Sequence, residues 1–159
     1  MDRVSLLAGF ETLFPLAVVW AAEEERRVLR EGVPLAARET LDAQSLGVLQ
    51  PDRVRVLRVP QIPRPEEENL RAACDAIDFL GPATRGLTLG YGIFVRIDCW
   101  RDRELIAHEL VHTAQYERLG GIEPFLRRYL TECLTVGYEQ SPLEREAVTR
   151  AGELPALSP

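Results

Sequence analysis

The chain contains no lysine: all 19 of its basic residues are arginine. That absence excludes a P-loop lysine, a Schiff-base or cofactor-holding amine and a Ser/Lys nucleophile pair. Histidine is almost as scarce, with two residues, so chemistry that needs imidazole has few places to go. Cys74, Cys99 and Cys133 lie far apart without a Cys-x-x-Cys pair, and three thiols cannot close a full disulfide framework, which favours a reducing compartment and cysteines acting as small buried hydrophobes. The apolar stretch 4–22 is interrupted by Glu11 and Pro15 and does not reach the roughly 18 uninterrupted residues of a membrane span. Asp2 cancels Arg3 where a signal peptide needs net positive charge. The expectation is a cytoplasmic protein with no membrane span.

What is present is ordinary for a folded domain. The 159 residues are 46% hydrophobic and 28% charged, which predicts one domain with its own core. The net charge of -6, with arginine scattered along the chain, argues against a surface that tracks phosphates, so no nucleic-acid partner is expected.

Periodicity divides this domain into an N-terminal part, 1–86, of helices and a first strand, and a part at 87–151. Helices are predicted over 16–30, ended by Gly32, over 34–46, started by its proline, and over 66–80, stopping at Gly81-Pro82. Between the last two, Val54 and Val56 alternate with arginines as a strand that Pro60 stops. A longer alternation puts Leu87, Leu89, Tyr91, Ile93, Val95 and Ile97 on one side and Thr88, Phe94, Arg96 and Asp98 on the other. Gly90 and Gly92 allow a tight hairpin or one bulged strand there. Asp102 is placed to cap a helix that Gly120-Gly121 ends. Further helices follow over 123–136 and from Ser141-Pro142, and residues 151–159 read as frayed.

Both histidines fall in one pentapeptide of the helix after Asp102, His108-Glu109-Leu110-Val111-His112. Residues four apart on a helix have Cβ atoms about 5–6 Å apart on one face, so both imidazoles can reach one ion. Zinc takes imidazole nitrogen at about 2.0–2.1 Å, and Glu109 can reach a water on the metal without being a ligand. Two solvated histidines around a solvated glutamate would be the plainer reading. Against it, Leu105, Ala107, Leu110, Val111, Ala114 and Leu119 make the helix apolar nearly all round, so its polar residues are expected to line a cleft. With no other histidine and no Gly-x-Ser-x-Gly elbow, Ser/His and Cys/His nucleophile arrangements have no support.

The run LIAHELVHTAQYERLGG, preceded by LTLGYGIFV and followed by GYEQSPLEREA, resembles the gluzincin type of zincin metallopeptidase, in particular its small bacterial members. The resemblance covers about 87–151. It implies an α+β, mostly helical zincin-like domain in which a small mixed or antiparallel sheet packs on the His108–His112 helix. An edge strand would hold peptide substrate, and a glutamate on a later helix would be the third zinc ligand. Gly120-Gly121 and the lack of a third histidine argue against the metzincin type.

The third ligand has three main candidates. On the last helix Glu144 shares the apolar side with Ala147, Val148 and Ala151, whereas Glu146 can pair with Arg150 on the solvent side. Glu144 also fits a capping box with Ser141, a role that competes with ligation. Glu132 comes 20 residues after His112 but could be the surface partner of Arg128. Cys133 is a remaining possibility. The Glu-x-x-Ala pattern implied by the resemblance matches Glu144 through Ala147. Where gluzincins often carry an acid or amide one turn further on, to hold the first histidine, this chain has Val148. Gln115 could orient a ligand or contact substrate, or be an ordinary helix glutamine.

The function expected is zinc-dependent hydrolysis of a peptide bond. Zinc would lower the pKa of its water toward about 7, and Glu109 would act as general base and return the proton to the leaving amine. The resemblance points to Tyr138 as oxyanion donor, and Tyr91 could line the substrate strand. The alternative is a non-catalytic or regulatory metal-binding domain acting through a partner.

Overall fold

The computed structural model describes residues 2–158. Helix α1 (Arg3–Glu31) is capped by Asp2, whose carboxylate accepts from Ser5 N at 2.8 Å. It begins 13 residues before the expected start at Leu16 because Pro15 does not break it. Leu6, Phe14, Ala17, Ala21 and Val28 form one buried stripe running across the proline. Burial of each large apolar side chain contributes about 1.5–3 kcal/mol, so several together outweigh the roughly 3 kcal/mol that an interior proline costs. By length and apolar composition α1 could cross a membrane, a test that core helices also pass. Gly32 caps its end in extended backbone where only glycine fits, since a Cβ there would lie 2.7 Å from Val28 O and 3.0 Å from Val56 O.

Pro34 does not start the next helix. It belongs to the two-residue strand β1 (Val33–Pro34), antiparallel to β2 (Arg55–Val59), an edge position where a missing N–H is tolerated. Helix α2 (Ala37–Ser45) begins three residues later, with Glu39 accepting from Ala36 N at 2.7 Å. Helix α3 (Glu68–Ala76) is shorter than expected, since Asp78 and Leu80 take positive φ values of 53° and 57°.

The alternating segment is a hairpin of β3 (Gly86–Leu89) and β4 (Gly92–Arg96). The turn reverses the alternation, so the expected single apolar side does not exist. Leu87 opposes Phe94, and Thr88 opposes Ile93. Leu87, Leu89 and Phe94 join the core cluster that contains Phe14, Ala21 and Val28 of α1, whereas Ile93 and Val95 pack with residues of the His108–His112 helix. Gly90, at φ 62°, lies against the Glu25 carboxylate, which accepts from Tyr91 N at 3.0 Å. The four-stranded sheet has the order β1-β2-β4-β3, with β2 and β4 parallel and the other pairs antiparallel.

Helix α4 (Arg103–Leu119) starts at Asp102, which accepts from Leu105 N at 3.1 Å, and ends at Gly120 with φ 101°. Helices α5 (Ile122–Thr135) and α6 (Pro142–Gly152) follow. Helix α4 packs against β3, α2, α5 and α6. The architecture is α+β with a small mixed sheet, and α4 lies between the sheet and α6.

Candidate metal centre

Local sequence sets the two histidines one turn apart, and packing then turns them toward a third group. His108 and His112 Nε2 are 3.1 Å apart. Glu144, brought by α6, places Oε2 at 3.1 Å from His108 Nε2 and Oε1 at 3.2 Å from His112 Nε2. Ligands about 2.0–2.1 Å from a tetrahedral centre stand about 3.3 Å from one another, close to each of these three separations, although the two histidines face different oxygens of Glu144. Two imidazoles and one carboxylate suit a divalent ion such as zinc and leave one corner of a tetrahedron free. Among the described residues, one ligand atom from each of the three lies within 4.8 Å of the others.

Glu144 is 5% exposed. Burial works to raise its pKa, but the hydrogen bonds to His108 and His112, with the His112 charge and the Tyr129 hydroxyl, hold it well below the usual carboxylate range. Tyr129, on α5, donates to Glu144 Oε1 at 2.6 Å. For His112, burial opposes charging, and Glu144 outweighs it, leaving the imidazole pKa raised.

The other carboxylates considered lie elsewhere. Glu132 accepts from Arg128 Nε at 2.9 Å, as its spacing suggested, and also from the Ser141 hydroxyl at 2.7 Å and Leu143 N at 3.1 Å. The expected partner of Glu146, Arg150, is replaced by Arg118, whose two terminal nitrogens each donate at 2.9 Å. Cys133 is buried, its thiol pushed up to about 12 by burial and by the Glu144 and Glu132 charges, so it keeps its proton.

Glu109, also 5% exposed, turns toward the edge strand. Its Oε2 accepts from Thr88 Oγ1 at 2.6 Å, and a Cβ on Gly86 would stand 2.6 Å from its Oε1. Glycine at 86 therefore makes the room that this carboxylate occupies. Sequence reasoning missed both contacts; a glycine and a threonine two apart on a strand were the available signal.

His108, Glu109, His112 and Glu144 share a cavity of about 610 Å³ whose other walls include Trp20 and Phe125. Tyr138 lines it while half exposed, and burial of its hydroxyl together with the Glu144 charge raises its pKa. Tyr91 does not reach the cavity: it sits in the hairpin turn and donates to Glu117 Oε1 at 3.0 Å. Val148 lines the cavity but is largely exposed, not on the packed side of α6. Gln115 is fully buried, with Oε1 at 2.8 Å from His112 Nδ1. No protein-family model, curated protein or solved structure matches this chain.

Proposed function

We propose that this protein is a zinc-dependent metallopeptidase of the gluzincin type, in which His108, His112 and Glu144 hold the ion and Glu109 is the general base. The observation that carries the reading is the convergence of the two imidazole Nε2 atoms, 3.1 Å apart, on the Glu144 carboxylate, one oxygen at 3.1 Å from His108 and the other at 3.2 Å from His112, beside the cavity that the Glu109 side chain lines. A structural site does not need a carboxylate of that kind beside it.

Zinc held there would polarise a carbonyl oxygen and bring the pKa of a coordinated water toward about 7. The work of the chain is to move the proton and hold the substrate. Glu109 takes the proton at its carboxylate and delivers it to the leaving amine, with Thr88 holding one oxygen. Tyr138, at the cavity wall, is the donor for the developing oxyanion.

Strand β3 is a sheet edge, suited to an extended peptide added by backbone pairing. Arg96 N donates to Arg85 O at 2.9 Å, so Leu87 and Leu89 bond inward to β4, while Gly86 and Thr88 direct their backbone groups outward. The Tyr116 hydroxyl already donates to Thr88 O at 3.0 Å. Pairing with substrate is therefore concentrated at Gly86.

The test is bound zinc by elemental analysis together with digestion of a broad peptide library, in wild type, His112→Ala and Glu109→Gln. The reading predicts one zinc and hydrolysis in wild type, zinc with hydrolysis lowered by about 10²–10⁴-fold in Glu109→Gln, and loss of zinc in His112→Ala. Wild type that binds zinc but cleaves nothing would overturn the peptidase reading in favour of a non-catalytic metal-binding domain.

A further inference from the structure

We propose that the ion pair Arg118–Glu146 positions the imidazole of His112 through Gln115, and so sets which ring nitrogen is free to bind metal. The link to metal binding rests on the reading above; the link to the imidazole does not.

Gln115 sits three residues after His112 on α4, with no exposed surface. Its Nε2 donates to Leu143 O and to Glu146 Oε2, both at 2.9 Å. A backbone carbonyl and a carboxylate have no proton to give, so the amide group must present its NH2 end to them. Its oxygen is thereby turned to His112 Nδ1 at 2.8 Å. An amide oxygen can only accept, so it draws the proton to Nδ1 in competition with the Glu144 carboxylate at Nε2, and in the neutral ring it favours the lone pair on Nε2. That nitrogen is the one facing His108 and Glu144.

Reversing the amide would lose both bonds to α6 and aim an N–H2 at His112 Nδ1. Glu146 resists that reversal because Arg118 holds it with a two-pronged pair, Nη1 to Oε1 and Nη2 to Oε2. Arg118 and Gln115 belong to α4, and Glu146 and Leu143 flank Glu144 on α6. The chain of contacts therefore joins the helix carrying the histidines to α6 on both sides of the carboxylate ligand, through the Leu143 carbonyl and the Glu146 side chain. It takes the role that the missing acid or amide at 148 would have had, but on the second histidine instead of the first. Glu146 is thus a positioning residue, not a ligand.

The experiment compares wild type with Gln115→Met, Glu146→Leu, Glu146→Gln and Arg118→Met. In metal-free protein, long-range 15N–1H spectra recorded where imidazoles are neutral report which nitrogen of His112 carries the proton. Zinc affinity is measured by chelator competition, with thermal unfolding recorded for each variant. Wild type should show the proton on Nδ1. Gln115→Met should lose that preference and bind zinc about 10–100-fold more weakly. Glu146→Leu and Arg118→Met should shift the same spectra to a smaller degree. Glu146→Gln, whose side-chain oxygen still accepts from Gln115, should restore most of the effect.

A merely structural network would lower unfolding temperatures without moving the tautomer. Folded Gln115→Met with the proton still on Nδ1 and zinc affinity within twofold of wild type overturns the proposal. Should Gln115→Met not fold, an unmoved spectrum in both Glu146→Leu and Arg118→Met overturns it equally. Wild-type protein that binds no zinc would end the metal reading, while the spectra would still decide whether Gln115 sets the tautomer.

Discussion

The carboxylate of Glu132 accepts from the hydroxyl of Ser141 at 2.7 Å, and the same oxygen accepts from Leu143 N at 3.1 Å. Ser141 Oγ in turn accepts from Glu144 N at 3.4 Å. One carboxylate from α5 thus serves the start of α6, and Glu144 need not fold back onto its own helix. This resolves the conflict between capping and ligation that Ser141-Pro142-Leu143-Glu144 presents. The serine keeps its capping role, while the side chain of the glutamate goes to the histidines.

Glu132→Ala should therefore unfix α6 as a cap substitution does, at about 1 kcal/mol. For a chain of about this size that is roughly 2–4 °C in unfolding temperature. Glu132→Gln keeps an acceptor oxygen and should recover most of the loss. Calorimetry on metal-free protein checks both. Equal, negligible shifts would mean that Glu132 does not hold the helix end.

The legible parts of this fold and site are those carried by short-range chemistry. Asp102 and Gly120 bracket α4, and the four-residue spacing of His108 and His112 makes them neighbours on it whatever surrounds them. The rest depends on contacts between distant segments. Pro15 reads as an interruption until the buried stripe from Leu6 to Val28 is seen to run past it. The Leu87–Ile97 alternation is real, but its faces exchange at a turn that Glu25, 66 residues before Tyr91, holds through its carboxylate. Arg118 and Glu146 carry no sequence signal for each other, being 28 residues apart on different helices.

Glu109 and Gly86 give a second prediction. Glu109→Gln should retain metal and lower peptide hydrolysis by about 10²–10⁴-fold, the range for a removed general base. Gly86→Ala keeps the carboxylate but puts a methyl group 2.6 Å from its oxygen, so the side chain must move. A displacement near 1 Å can cost about 10²-fold. Turnover of Gly86→Ala should fall by that order with zinc content unchanged. Wild-type turnover in this variant would show that the Glu109 position beside β3 is not the working one.

Acid and base act oppositely on the Glu144–His112 pair. The pKa of Glu144 is depressed in the fold, so its stabilisation is present above the unfolded value of about 4.3 and is lost as pH falls. That of His112 is raised, so its stabilisation is complete below about 6.5 and fades as pH rises through the folded value. The pair therefore favours metal-free protein most between about pH 4.3 and 6.5. Unfolding temperature above that window should decline more in wild type than in His112→Ala. Added zinc requires neutral imidazoles, so its stabilising increment should grow over the same range. Parallel profiles for wild type and His112→Ala would mean that the pair does not contribute.

Two tyrosines near Glu144 should separate binding from turnover. Tyr129 is buried, and its hydroxyl stays protonated because burial and the Glu144 charge raise its pKa strongly. Tyr129→Phe removes the 2.6 Å donor from a buried carboxylate, which costs about 1–3 kcal/mol and should weaken zinc binding. Tyr138 lies half exposed at the cavity wall. Tyr138→Phe should leave zinc affinity within about twofold and cut turnover by about 10²–10³-fold, as loss of one oxyanion donor does. Chelator competition and peptide turnover on both variants check the division. If Tyr138→Phe instead loses metal at full specific activity per bound zinc, the phenol supports Glu144 and the oxyanion donor must come from another wall of the cavity.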